Sequence, residues 1–181
     1  MLGFLFFVKE DNMKYTPNRT DKKIRAIYCI LFAIAIFGIF IEVKGIYATI
    51  IQCVSIMILT ASLAIFIKYE SITYVYSLTD RGGILDFYVD KYTGKRGGYV
   101  CYFPLTDCVN LKEFSRNTKK ELREEYKRIY FFNYSKNVFT GKKYVAVFEN
   151  KDEYHAVIFE PDEKFLSYMQ KGLNNIVANN Y

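Results

Sequence analysis

Two long apolar runs joined by a few residues constrain this chain more than anything else in it. From Ala26 to Ile41 it reads AIYCILFAIAIFGIFI, without charge or proline. Extended to residues 24–43 the run has about 20 residues, enough at 1.5 Å per residue to cross the ~30 Å hydrocarbon core of a bilayer. The second run, Ile46 to Ile67, is IYATIIQCVSIMILTASLAIFI, and Lys68 closes it. A helix that is apolar all round is buried in a large protein or in a membrane. The remainder of 181 residues is too little chain to cover two of them. Residues 24–68 are therefore expected to form a transmembrane hairpin, with spans 24–43 and 46–68.

Only Glu42-Val43-Lys44-Gly45 separates the spans, so they must be antiparallel neighbours, and Gly45 suits a sharp turn. Lys9, Lys14, Arg19, Lys22, Lys23 and Arg25 precede the first span, Lys44 stands alone at the tip, and Lys68 and Arg81 follow the second. This Lys/Arg bias predicts a multi-pass protein of the cell membrane with both termini cytoplasmic. Lys22, Lys23, Arg25 and Lys68 set that topology, with Arg25 snorkelling to the headgroups. The chain then divides into a cytoplasmic segment 1–23, the hairpin 24–68 and a cytoplasmic domain 69–181. The apolar stretch 2–8 (LGFLFFV) has no basic residue before it and no small-residue cleavage site before Lys9-Glu10-Asp11, unlike a signal peptide. An interfacial anchor and a strand or helix docked on the rest both remain open for it.

Within the spans the polar residues are Gln52, Ser55, Thr60 and Ser62. Cys29/Ala33 and Thr60/Ala64 are small-xxx-small pairs of the kind that permits close helix contact. No Asp, Glu, Lys, Arg or His lies deep in either span, which argues against an ion or proton path.

After Lys68 the apolar period changes to two. Residues 71–79 (SITYVYSLT) put Ile72, Tyr74, Tyr76 and Leu78 on one face. Asp80-Arg81-Gly82-Gly83 is a turn, and residues 84–91 (ILDFYVDK) place Leu85, Phe87 and Val89 together. A second turn at 93–98 leads to a strand at 99–103, Pro104 marks a break, and a fourth strand lies within 105–114. Residues 115–128 (SRNTKKELREEYKR) read as a solvated loop or a short exposed helix. Three further strands follow at 129–134, 144–149 and 154–160. Pro161, Asp162 and Glu163 then open a helix, with Phe165, Leu166, Met169, Leu173, Ile176 and Val177 as its apolar stripe. The expected fold is an α+β membrane protein. Its transmembrane hairpin is followed by a seven-stranded antiparallel sheet or barrel capped by a C-terminal helix, an order that matches the pleckstrin-homology (PH)-like superfold.

The spans, Tyr74-x-Tyr76-x-Leu78-Thr79 running into Gly83-Ile84-Leu85-Asp86-x-x-Val89-Asp90-Lys91, the basic turn at Lys95-Arg96, and Val157-Ile158-Phe159-Glu160-Pro161-x-Glu163-Lys164-x-Leu166 together resemble small uncharacterised bacterial membrane proteins. Those proteins have a two-helix N-terminal hairpin and a PH-like cytoplasmic domain. The resemblance covers residues 20–170 loosely and implies that fold. It brings no catalytic or binding residues with it. This chain departs by an extra residue in its first turn and a shorter basic run after Lys91.

The net charge of +6 could belong to a nucleic-acid binder, but a good part of it precedes the first span, and no nucleic-acid partner is expected. No nucleophile elbow, P-loop, dinucleotide fingerprint or HExxH motif occurs. Gly94-Lys95-Arg96-Gly97-Gly98 reads as a hairpin turn with exposed bases rather than a phosphate cradle. His155, the single histidine, reads as a partly exposed sheet residue. Cys29, Cys53, Cys101 and Cys108 read as free, mostly buried thiols, and no metal or cofactor is expected. The chain is thus expected to be a non-enzymatic, membrane-anchored interaction module at the inner leaflet. Arg81, Lys95 and Arg96 are its candidate contacts to anionic lipid headgroups or to an unknown membrane or cytosolic protein. The alternative is a scaffold or assembly subunit that packs through its hairpin.

Overall fold

A computed structural model describes residues 13–17, 22–41, 45–137 and 141–179. The apolar stretch 2–8, Lys9, Arg19 and the hairpin tip Glu42–Lys44 lie outside the described residues. After a short strand come two apolar helices, α1 (Lys22–Phe40) and α2 (Ile46–Phe66), each long and apolar enough to cross a membrane. A π-helical turn, Ile67–Ser71, carries α2 past Lys68 and runs directly into the sheet domain. The helices therefore begin and end slightly away from 24–43 and 46–68.

The helices pack along a seam of small and branched residues that includes Ala35 and Gly38 on α1 and Ser55 and Ser62 on α2. A Cβ on Gly38 would collide with the Ser55 hydroxyl and lie 3.2 Å from Ser55 Cβ, so glycine sets how closely the helices approach. Ser62 donates to the Leu59 carbonyl and Thr60 to that of Ile56, so neither hydroxyl needs a partner outside its own helix. Cys29, Ala33, Thr60 and Ala64, the pairs marked by spacing, face outward instead. Only 11% of either helix is buried, which is not how a core helix of a soluble domain sits.

Among the described residues, eight strands follow a different plan from the single seven-stranded sheet or barrel expected. The first open sheet is an antiparallel meander of β1 (Met13–Tyr15), β2 (Ile72–Arg81), β3 (Ile84–Thr93) and β4 (Arg96–Pro104), in that order. β1 precedes the helices in sequence yet pairs with β2, Met13 opposite Leu78 and Tyr15 opposite Tyr76. The second open sheet contains β5 (Cys108–Glu113), β6 (Ile129–Asn133), β7 (Tyr144–Asn150) and β8 (Glu153–Phe159), ordered β5-β7-β8-β6. β6 lies parallel to β8, so this sheet is mixed. A one-turn 3-10 segment, Leu105–Asp107, connects the two sheets.

The inward alternation expected for β2 and β3 holds. Tyr76, Leu78, Phe87 and Val89 are fully buried against Phe148, Val157 and Phe159 of the second sheet. Helix α4 (Glu163–Asn179) adds Phe165 and Met169 to the same core, and its first turn is capped by Asp162, whose carboxylate accepts from the Phe165 N–H at 2.7 Å. β7 and β8 read apolar at consecutive positions because both of their faces are covered. The second face packs Val145, Val147, Ala156 and Ile158 under helix α3 (Thr118–Glu125), whose Leu122 is fully buried. The segment expected to be a solvated loop or exposed helix is thus a short lid over a second core.

Candidate functional site at the helix–sheet junction

The π turn brings Glu70 back to the first turns of α1. Arg25 Nε donates to Glu70 at 2.8 Å and the Tyr28 hydroxyl donates to the same oxygen at 3.2 Å. Arg25 is therefore held by a carboxylate at the helix exit rather than extended alone into solvent. Lys136, buried in the segment after β6, acts electrostatically on Glu70, and its ammonium approaches Thr73 Oγ1 at 3.5 Å. The backbone N–H groups of Lys136 and Asn137 and the Asn137 side-chain amide all donate to Glu160, at 2.9–3.2 Å. Burial pushes the Glu160 carboxyl above the ordinary carboxylate range, and these donors, with Lys143, pull it partly back. The Tyr76 hydroxyl completes the cluster, donating to the Tyr134 carbonyl at 2.8 Å and accepting from the Glu160 N–H at 3.4 Å.

Beside this cluster opens a cavity of about 240 Å³, lined by Lys68, Tyr69, Tyr74, Asn133, Ser135, Asn137 and Lys143. Among the described residues no carboxylate lines it. A second cavity, about 370 Å³, lies at the opposite end of the domain between the β2–β3 turn and α4, where Asp80 and Lys171 oppose each other in charge.

The three basic residues singled out by sequence do not share one surface. Arg81 pairs with Ile84 at one end of β3, and Arg96 pairs with Thr93 at the other. Nine steps of strand separate these ends, roughly 30 Å. Ile72, the residue that leaves the helix, lies opposite Thr93. Lys95 and Arg96 thus share the helix-exit end of the sheet, both exposed, while Arg81 is at the far end. There Arg81 sits 3.8 Å from the buried Asp86 and over the Tyr88 ring. Among the four topology residues, Lys22 and Lys23 begin α1, Arg25 holds Glu70, and Lys68 forms part of the cavity wall.

His155 lies among the rings of Phe103, Phe132 and Tyr130, with centroids 5.4–5.9 Å away, as a partly exposed sheet residue. Burial raises both the Cys101 and Cys108 thiols to about 12, which keeps them protonated and poor nucleophiles near neutral pH. Cys29 and Cys53 face outward from the helices. Among the described residues no group of three or more His, Cys, Asp or Glu side chains gathers.

Sequence reasoning marked Lys68 only as a topology residue. It missed Glu70, Lys136, Asn137, Lys143 and Glu160, which come together from positions up to 90 apart in the chain. Glu160 was visible only as the last residue of a strand and as part of the run into the helix-opening proline. No family model and no curated protein matches this chain.

Proposed function

We propose that this protein is a membrane-anchored, non-enzymatic binding module. Its hairpin spans the bilayer with both termini cytoplasmic, and a PH-like domain is held against the inner leaflet. The observation that carries this reading is the junction. α2 enters the sheet without a linker, and Arg25–Glu70 ties the start of α1 to the end of α2. The domain is thereby held close to the helix exit rather than tethered at a distance. The β1–β2 pairing supports the shared side of the termini, because residue 15 before the hairpin and residue 76 after it belong to one sheet. The two-sheet arrangement with a C-terminal helix against its core supports the PH-like assignment. That assignment takes β1 as an addition from the N-terminal segment. The seam of Ala35, Gly38, Ser55 and Ser62 suits an anchor, since it holds no ionisable group.

Cross-linking of the full chain in native membranes, read by mass spectrometry, tests the reading. Variable cross-links from the sheet domain are expected, including from Lys95 and Lys143. A single partner at constant stoichiometry, cross-linked through the hairpin helices, would replace the binding module with a scaffold or assembly subunit.

A further inference from the structure

We infer that the junction cavity binds the phosphate of an anionic phospholipid headgroup. The inference rests on the anchored-module reading and adds the ligand class and the residues.

The charge balance comes first. At the junction Glu70 is engaged by Arg25, and the Glu160 oxygens are taken by the N–H donors of Lys136 and Asn137. That leaves Lys68 and Lys143 as the two cations in the cavity wall, neither in a salt bridge among the described residues. Lys143 feels Glu160 electrostatically, but that carboxylate is already satisfied by hydrogen bonds. A third donor is Asn133. Its Oδ1 accepts from the Ser135 N–H at 3.0 Å and the Ser135 hydroxyl at 2.7 Å, which leaves its Nδ2 to donate elsewhere. Two ammonium groups and an amide N–H, with no lining carboxylate among the described residues, are complementary to a phosphate.

A second observation concerns the acceptor side. Asn137 Oδ1 is buried and has no hydrogen-bond partner among the described residues. Its orientation is not arbitrary. The Asn137 Nδ2 donates to Glu160 at 3.1 Å, and flipping the amide would set its carbonyl against the carboxylate. A buried acceptor without a donor is costly, so this amide is held in place by its bond to Glu160 with its carbonyl enclosed by protein. The cavity's own polar groups are then donors, which suit the phosphate of a headgroup.

The third observation is depth. Ile46 to Ile67 is 22 residues, about 33 Å of helix, close to the ~30 Å of a hydrocarbon core. Lys68 is the first residue beyond it. The cavity therefore opens at the level where lipid phosphates lie, and the bilayer is the source.

The test uses the full chain purified in neutral detergent, with native mass spectrometry during titration by phosphatidylglycerol, phosphatidylcholine or soluble glycerol phosphate. One phosphatidylglycerol per chain is expected to bind in preference to phosphatidylcholine. K68A/K143A should weaken it roughly 10- to 30-fold, as expected for two basic residues near a phosphate. K68Q/K143Q should do the same, which separates lost charge from lost packing. K120A/K127A removes equal charge from the region of α3 and should leave binding unchanged. Equal loss in both charge pairs, or no preference between the two lipids, overturns the site. Soluble glycerol phosphate binding as tightly as the lipid overturns the bilayer as its source. If the site fails while sheet-domain cross-links persist in native membranes, the headgroup assignment falls and the anchored module stands.

Discussion

Glu160 carries a carboxylate into a buried position at the end of β8, where donors from one short segment converge on it. Removing the side chain leaves the N–H groups of Lys136 and Asn137 facing no acceptor. E160A is therefore expected to cost about 3 kcal/mol, within the range for losing charged hydrogen bonds and stranding buried donors. Urea unfolding of the full chain in micelles, followed by near-ultraviolet tyrosine dichroism, measures it. The pH dependence has a definite sign. Burial raises the folded-state pKa of Glu160 above its unfolded value of about 4.3. Between those two values the folded chain holds a proton that the unfolded chain has released, so stability falls as pH rises. The stability of the wild type relative to E160Q should be greatest below about pH 4.3, decline through the window and flatten above the folded pKa. A difference that grows with pH would show that the hydrogen bonds, not burial, dominate this carboxylate.

The elements differ in how far local pattern specifies them. The hairpin helices were legible because a run of about 20 apolar residues has few other uses. Their contact face was not, because small residues occur on every side of both helices and only packing selects among them. Gly38 against Ser55 makes that selection testable. G38I is expected to disrupt the hairpin by about 1–3 kcal/mol through overpacking, and S55G in the same chain should recover part of the loss. Steric trapping of the hairpin in bilayers reads both variants, and additive losses would show that the two positions do not meet. Helix α3 shows the opposite case. Its sequence is charged at most positions, and one leucine supplies its buried contact with the second sheet. L122A should cost about 2–4 kcal/mol as a core cavity. Hydrogen exchange should rise along α3 and β7 together, whereas a rise confined to α3 would mean that the second core does not depend on its lid. The β2–β3 hairpin was legible from alternation and from Gly82 and Gly83, whose φ values of 68° and 92° require glycine. β1 was not, since a three-residue strand has no period of its own. Nor was the parallel pairing of β6 with β8, which depends on β7 lying between β5 and β8.

At the scale of the whole molecule, β1 and β2 make the chain close on itself across the hairpin. A segment before the first apolar helix and a strand after the second share a sheet, so the hairpin is an excursion from one folded domain. The junction then locates that domain. Ile72 follows the helix directly, the β3–β4 turn with Lys95 and Arg96 returns to the same end, and the cavity with Lys68 and Lys143 opens beside it. Arg81 lies about nine residues of strand away, roughly 30 Å, and is tied to Asp86 and Tyr88 of its own sheet. The basic surface turned toward the helix exit is thus assembled from residues that no single stretch of sequence brings together. Sidedness tests this arrangement most directly. With the full chain in sealed membrane vesicles of defined orientation, trypsin should cut the exposed basic segment 116–128 only when the vesicles are inverted. Cleavage there in sealed right-side-out vesicles would place the sheet domain outside the cell and contradict the account.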